Sequence, residues 1–402
     1  MPALPADPIE GIGTRIQTVR QLRGLTVREL ARRAHVSPAQ ISRVENGQRY
    51  ASPSIVASVA RALSVSVSVL HGQPYIQMLQ QDQLDGLLAP ISSALDDWDI
   101  PPGTDEPPPR PLAELAVAVR TLEAERAAGA YLDVAQRLPA LIAEINYAAL
   151  LHDTPGTRDS ERARWLQAEL GRTVYVVARQ IGYVDLARHA LGRMAAAAPR
   201  SGDPRQVAIE RWDRSQLMAD AARHDRGFAL VHQALRDLDD DGSTSARAVR
   251  GALYLRAAVL ARRSGDDSTA EDWLEEAGEL AGRTGELTDY GLVFGPTNVV
   301  IHAMSASADM DRHAKALRDA RKVTLPDGYP AARAGAYWAS RARAEAWTAQ
   351  HDAALQSLRR ARDVAPQQTR YHPGVHETVA TLLRARARAT DDLRSYAAWC
   401  GV

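Results

Sequence analysis

The sequence predicts an all-α protein in two parts, a compact head of five short helices and a long helical body. Three observations carry this. Residues 10–72 hold a run of helix start and stop signals set closely together. Residues 112–402 keep a helical apolar period, broken by Gly, Pro or Asp about every 15–20 residues, with almost no strand alternation. Between them, residues 99–111 contain six prolines in thirteen positions, which excludes helix and central strand and reads as a semi-rigid linker.

Taken in order, the first helix runs from about Gly11 to Arg23, with Ile12, Ile16, Val19 and Leu22 on one face. Gly24 ends it in the left-handed conformation that glycine adopts without a Cβ clash. Thr26 caps the second helix, and Glu29 three residues later completes a capping box. Ser37 caps the third, with Pro38 at the first helical position, where a missing N–H costs nothing. Gly47 ends it. Ser52-Pro53 repeats the signal for a fourth helix that turns Ile55, Val59 and Leu63 inward, and Ser66 to Leu70 forms a short fifth. Two short helices joined by a tight turn over 26–47 have the layout of a helix-turn-helix, whose second helix enters the DNA major groove.

Residues 1–73 are thus the expected head and 74–98 a connector. The connector helix, about Tyr75 to Trp98, carries the stripe Leu79, Leu84, Leu87, Leu88, Ile91 and Leu95, a candidate dimer surface. Residues 112–402 are the body, a second candidate dimer surface. Its clearest internal unit is Trp338, Ala342, Ala354, Leu358, Ala361 and Pro366; a second is Tyr254, Ala258, Ala270, Leu274 and Ala277, with Gly265-Asp266 in the turn. These fall at tetratricopeptide spacing, where small residues let antiparallel helices approach. The small-residue anchors Ala187, Ala229, Ala270, Ala316 and Ala354 lie 42, 41, 46 and 38 residues apart, longer than the standard 34-residue repeat. A degenerate right-handed solenoid of about five or six hairpins, with a concave face, is the expectation.

Formal net charge is zero, but its distribution is uneven. Residues 1–72 carry nine Arg against four acidic side chains, and the remainder carries the compensating acidic excess. A basic head on an acidic body suits a nucleic-acid partner for the head alone. The single cysteine, Cys400, cannot staple a fold, which fits a reducing compartment. The first residues lack a basic start and an apolar run, so no signal peptide is expected. No apolar stretch nears the ~20 residues that span a bilayer. The expectation is a soluble, cytoplasmic protein with no membrane partner.

The head resembles the Xre/Cro-repressor family of helix-turn-helix domains, lambda-repressor-like in fold. Arg15, Ile16, Arg20, Thr26, Leu30, Ala31, Val36, Ser37, Ile41, Ser42, Val44, Glu45, Asn46, Gly47, Pro53 and Leu63 carry the resemblance. The run Ile-Ser-Arg-Val-Glu-Asn-Gly at 41–47 is close to the family's most frequent wording. The resemblance implies that Glu45 pairs with Arg20 inside the domain, and that base reading falls on Pro38, Ala39, Ser42 and Arg43, with Gln40 as a further reader. Pro38 and Ala39 carry no donors and could offer only apolar contact to thymine methyls. Arg43 is left as the candidate for a bidentate contact to guanine, or for a phosphate contact. Thr26, Val27, Ser37, Asn46, Arg49 and Ser54 stand where such domains hold phosphates. One head reads few base pairs, so a homodimer on a palindromic or pseudo-palindromic double-stranded DNA operator is expected, with half-sites ~34 Å apart.

In the body, Phe294-Gly295-Pro296-Thr297-Asn298-Val299-Val300-Ile301-His302 resembles a signature of actinobacterial regulators that join an Xre-type head to a tetratricopeptide-like body. Arg370-Tyr371-His372-Pro373 and Trp399-Cys400-Gly401-Val402 fit the same group. Phe294, Asn298 and His302 follow at spacings of four and would share a helix face. Asn298 could satisfy donor and acceptor of a peptide backbone, or cap a broken helix. Tyr254, Tyr290, Tyr337 and Trp338 could line the same groove or pack between helices. The candidate occupants are a small molecule, a peptide or a protein. Quorum-sensing regulators of this architecture respond to short peptides, an analogy at the level of architecture.

Enzyme signatures were not found: there is neither a Gly-rich phosphate loop nor a His-Glu-x-x-His, and no cofactor or metal is expected. His372 and His376 read as a surface pair at a helix start, and Asp239 to Gly242 as a polar turn lacking the twelve-residue calcium loop. The expected function is sequence-specific transcriptional regulation, with the body sensing a ligand or mediating oligomerisation. The alternative is a DNA-bound scaffold that recruits a protein through the body. An antitoxin-like autorepressor suits so large a body poorly.

Overall fold

The computed structural model describes residues 11–72, 81–239, 241–385 and 390–402, with residues 81–85 described by their backbone alone. Among these residues a single β-bridge, Leu287 to Phe294, interrupts an otherwise helical chain.

The head is α1 (Ile12–Leu22), α2 (Val27–Ala34), α3 (Pro38–Glu45), α4 (Pro53–Leu63) and α5 (Val67–His71). Its boundaries follow the local chemistry. The Glu29 amide donates to Thr26 Oγ1 at 3.2 Å, and the Thr26 amide donates to Glu29 Oε2 at 2.7 Å, which closes the expected capping box. A second box, not anticipated, joins Ser37 and Gln40, with both amide bonds at 3.2 Å. Ile16, Leu30, Ile41, Val56, Leu63 and Leu70 form the core of the head, each at most 2% exposed. Full burial of such side chains stabilises by about 1.5–3 kcal/mol each. α1 crosses α3 at Gly13, where a Cβ would lie 2.1 Å from the Val44 carbonyl oxygen.

The body opens with α6 (Gln81–Asp96), which continues through an internal Pro90. The part of the expected connector before Gln81 falls outside the described residues. Leu88, Ile91 and Leu95 of α6 are buried in the body core, and Asn146 Nδ2 donates to the Ala94 carbonyl at 2.9 Å. The described part of this candidate dimer stripe, Leu87, Leu88, Ile91 and Leu95, packs within the same chain, while Leu79 and the side chain of Leu84 lie outside the described residues. After the linker come α7 (Leu112–Ala127) and α8 (Tyr131–Leu151).

Five antiparallel pairs follow: α9 (Arg158–Ile181) with α10 (Val184–Ala197), α11 (Pro204–Asp220) with α12 (His224–Asp237), α13 (Thr244–Ser264) with α14 (Asp267–Thr284), α15 (Pro296–Asp309) with α16 (His313–Ala320), and α17 (Ala331–Trp347) with α18 (His351–Val364). α19 (Pro366–Tyr371), α20 (Pro373–Ala385) and α21 (Asp391–Cys400) complete the chain. The fourth residue of each second helix is small and buried: Ala187, Gly227, Ala270, Ala316 and Ala354. Ala229, expected as one of these anchors, is exposed. Gly227 takes its place because Leu260 of α13 presses in, and a Cβ there would lie 2.8 Å from Leu260 Cδ2.

The body curls back on itself. α17 touches α7, and α19 touches α8 and α9. The Tyr131 hydroxyl donates to Gln368 Oε1 at 3.3 Å, while Gln367 accepts from the Leu132 amide and donates to Asp133, both at 2.9 Å. The head docks on this body through α4, which meets α11 and α13. Arg61 Nη1 donates to the Ala222 carbonyl at 3.3 Å, and the Ile12 amide donates to Glu377 Oε2 at 2.9 Å. Among the described residues no helix is long and apolar enough to cross a membrane.

Candidate nucleic-acid interface and the inner face of the body

α3 presents two different faces. Ile41 and Val44 are buried against α1 and α2, while Pro38, Ala39 and Arg43 are exposed and Gln40 and Ser42 half-buried. The five expected base readers therefore share the outward side. The helix is held from within by Glu45. Arg20 Nε and Nη2 donate to its two oxygens at 2.7 and 2.8 Å, and Arg20 Nη1 donates to the Leu25 carbonyl at 2.8 Å. This bidentate bond raises the Arg20 pKa above its ordinary value against the opposing effect of burial. Gln40 has divided duties: its Oε1 accepts from the Ser37 amide and hydroxyl, which leaves the amide donors for other partners.

The expected phosphate contacts separate into two groups. Thr26, Ser37 and Asn46 are exposed, and Val27 is half-buried at the start of α2. The hydroxyls of Thr26 and Ser37 both serve capping boxes, so an anion would meet the exposed helix N-termini rather than these hydroxyls. Arg49 and Ser54 instead face the body. Arg49 Nε lies 3.3 Å from Asp311 Oδ2, and Ser54 Oγ donates to the Arg263 carbonyl at 3.2 Å. Between them Tyr50, 6% exposed, accepts from Arg343 Nη1 at 2.6 Å and packs edge-on against His313 and Trp347. Burial raises the Tyr50 pKa, so its hydroxyl stays protonated.

Tyr50 sits at the end of a chain of charges. Arg179 on α9 bonds Asp220 on α11 at 3.0 Å, and Asp220 meets Arg263 on α13 at 3.5 Å. Arg263 meets Asp309 on α15 at 3.3 Å, and Asp309 bonds Arg343 on α17 at 2.7 Å. Alternating charges thus link all five first helices, one to the next, and end on the head. Sequence reasoning missed this chain. Its signal was present, since Arg179, Asp220, Arg263 and Asp309 recur at almost the same interval as the small residues.

The expected groove residues do not form one cluster. α15 begins at Pro296, so Phe294 is not on its face; Phe294 is fully buried, and a Cβ on Gly251 would lie 2.1 Å from its ring. Asn298, 3% exposed, donates to the Val293 carbonyl and accepts from Arg333 Nε at 2.5 Å. His302 lies one turn farther on, half-buried beside Arg256 and Arg333. Tyr254 packs on Trp273 of α14 with ring centroids 5.4 Å apart. Trp338 lies against Tyr337 at 4.8 Å and under Arg360 of α18 at 4.7 Å. Both pack between helices. The Tyr290 hydroxyl donates to Asp203, and its carbonyl accepts from Arg172.

His372 and His376 are no surface pair. His376 is 7% exposed, with Nε2 2.6 Å from the Arg370 carbonyl, and burial pushes both imidazoles down to about 4. No group of three or more metal-ligating side chains occurs among the described residues. Asp241 of the polar turn accepts from the Ser243 amide at 2.9 Å and from Arg205 at 2.8 Å; Asp240 falls outside the described residues. Cys400 is buried, and its thiol is pushed up to about 12.

Comparison with known proteins gives three findings. Residues 16–70 match the family model described as helix-turn-helix. No curated protein matches the chain. Among solved structures, PlcR of Bacillus thuringiensis, in complex with the peptide PapR7 and DNA, is 16% identical to this chain, covering 68% of it and 95% of its own length, with a TM-score of 0.31. At that score the neighbour's ligands carry nothing over to this chain. Residues 16–70, with α3 turned outward on a buried Arg20–Glu45 clasp, are a helix-turn-helix domain carried on a long helical body.

Proposed function

We propose that the chain is a sequence-specific, double-stranded-DNA-binding transcriptional regulator that acts by binding rather than catalysis. The observation that carries this reading is the division of α3, with Ile41, Val44 and Glu45 buried and Pro38, Ala39 and Arg43 outward. A helix so fixed can enter a major groove without rearranging its own core. Arg43 reads guanine through its fork of donors, and Pro38 and Ala39 contact thymine methyls. The exposed N-termini of α2 and α3 hold phosphates. A homodimer supplies two half-sites on a palindromic or pseudo-palindromic operator.

In this reading the body is of tetratricopeptide type, as the small fourth residue of each second helix supports, and it governs the head. Arg49, Tyr50 and Ser54 are tied to α13, α16, α17 and their flanks. A ligand on the inner face of the body would alter the helix spacing along the charge chain. The head would shift with it, and half-site geometry with the head.

Fluorescence anisotropy on DNA recovered from a random pool tests this. Specific binding with a log–log salt slope near −0.9 for each phosphate neutralised supports the reading. Equal affinity for recovered and scrambled DNA contradicts it.

A further inference from the structure

The inner face of the body repeats its charges one tier farther from the head. Seven residues before Arg179, Asp220, Arg263 and Asp309 stand Arg172, Asp213, Arg256 and His302. Seven residues are two helical turns, about 10.5 Å along each axis. Both tiers begin as cation, anion, cation. In the tier near the head, Asp309 then completes the series, held between Arg263 at 3.3 Å and Arg343 at 2.7 Å. In the far tier its place is taken by His302, one turn after Asn298 on α15, the residue that Arg333 bonds; the charges of Arg333 and Arg256 both act on it.

The histidine supplies no negative charge. Burial, then Arg333 and Arg256, hold its pKa well below the ordinary value, so it is neutral at pH 7. The two guanidiniums face neutral partners. Arg256 is 7% exposed, donates through Nη1 to Gln216, and stacks over Trp212 at 4.7 Å. Its Nε is buried without a hydrogen-bond partner. Arg333 donates to Asn298 and lies against the Tyr329 hydroxyl. Among the described residues neither Arg256 nor Arg333 has a carboxylate within salt-bridge distance, and Asp213 is already bonded to Arg172 at 3.0 Å. Two desolvated cations without a carboxylate bonded to either are costly; Asp213 acts on Arg256 only from a distance, and burial lowers the Arg256 pKa to about 10. The tier below shows what relieves such a pair.

We propose that Arg256 and Arg333, beside His302, bind a compact oxyanion, a carboxylate or phosphate group of the body's ligand, in the register that Asp309 occupies one tier below. Asn298 orients Arg333 towards it. The site rests on the reading of the body as a ligand-responsive unit and names the chemistry that unit recognises.

The test uses the full chain and its His302→Asp variant, which supplies the carboxylate from the protein itself. Thermal unfolding is followed in chloride, in inorganic phosphate, in succinate, and in trialanine with a free or amidated C-terminus, all at matched ionic strength. The expected result is a saturable gain of a few degrees for the wild type with phosphate or with the free carboxylates, and no gain with the amide. His302→Asp takes no further gain from any probe, and Arg333→Gln, the second variant, also loses it. A response to phosphate alone or to carboxylates alone identifies the source of the oxyanion. Equal gains in wild type and both variants, or no gain in the wild type, overturn the site. Operator affinity measured with the same probes separates the two readings: saturable binding that leaves DNA affinity unchanged keeps the site and refutes ligand control.

Discussion

Loss of the Glu45 carboxylate should loosen the reading helix. Arg20 and Glu45 side chains are 10% and 4% exposed, and their two parallel bonds measure 2.7 and 2.8 Å. Glu45→Ala leaves a guanidinium in that site with only the Leu25 carbonyl as acceptor, at 2.8 Å. Breaking a buried pair costs about 3–5 kcal/mol, because the surviving charge keeps its desolvation penalty. Arg20 retains one acceptor, so the lower figure, about 3 kcal/mol, applies. That is a large share of the 5–15 kcal/mol that holds a typical domain folded. At about 1.4 kcal/mol per tenfold, amide exchange in residues 38–47 should quicken roughly a hundredfold. Hydrogen exchange on the full chain reads this directly. Arg20→Met with Glu45→Leu should recover most of the protection, since paired apolar residues carry no stranded charge. Exchange within threefold of wild type for Glu45→Ala would refute the reasoning, as would a double variant as open as the single one.

Other consequences are independent of that clasp. Arg43→Ala should flatten operator preference by roughly 1–3 kcal/mol at one base pair, read by competition against single-base operator variants. Asp311→Ala releases Arg49 from a partly exposed pair and should tighten DNA binding by at most about fivefold, since such pairs contribute about 0–1 kcal/mol; weaker binding would show that Arg49 is not a phosphate contact. Gly251→Ala forces a methyl into the Phe294 ring and should destabilise by about 1–3 kcal/mol in chemical denaturation, with Phe294→Leu restoring part of the loss. Glu123 is pushed up to about 8 by burial and by its hydrogen bond to Glu169, against an ordinary value of 4.5. The folded chain therefore holds a proton that the unfolded chain releases. Its stabilising effect is present in full below about 4.5 and lost as the pH rises through 8. The melting temperature should fall between pH 4.5 and 8, and Glu123→Gln should make that fall shallower.

The head was legible because its signals are local. Thr26 with Glu29, Ser37 with Pro38, and Ser52 with Pro53 each fix a helix start within a few residues, and the bonds they imply are present. The Arg20–Glu45 pair came from resemblance and has the expected geometry. The body was legible in outline only. Small residues at long spacing pointed to paired helices, yet alanine is so common in this chain that Ala229 passed for an anchor where Gly227 makes the contact. What sequence could not show was which neutral partners surround a cation. Sequence leaves Asn298 open between a ligand contact and a cap on a broken helix, and it bonds both Val293 and Arg333. Tyr254 and Trp338, which sequence leaves open between groove lining and packing, pack between helices. The curling of the body, which brings Gln367 and Gln368 to Tyr131 and Asp133, depends on small rotations summed over many repeats and leaves no local mark.

The central claim is that α3 reads base sequence. Selection of DNA from a random pool by the full-length chain, repeated with Arg43→Ala, tests it most directly. The account predicts an enriched, two-fold-related pair of half-sites about one helical turn apart, ~34 Å, and loss of preference at one symmetric base pair in the variant. A pool that remains random after repeated rounds, or an identical enriched site for both proteins, would contradict it.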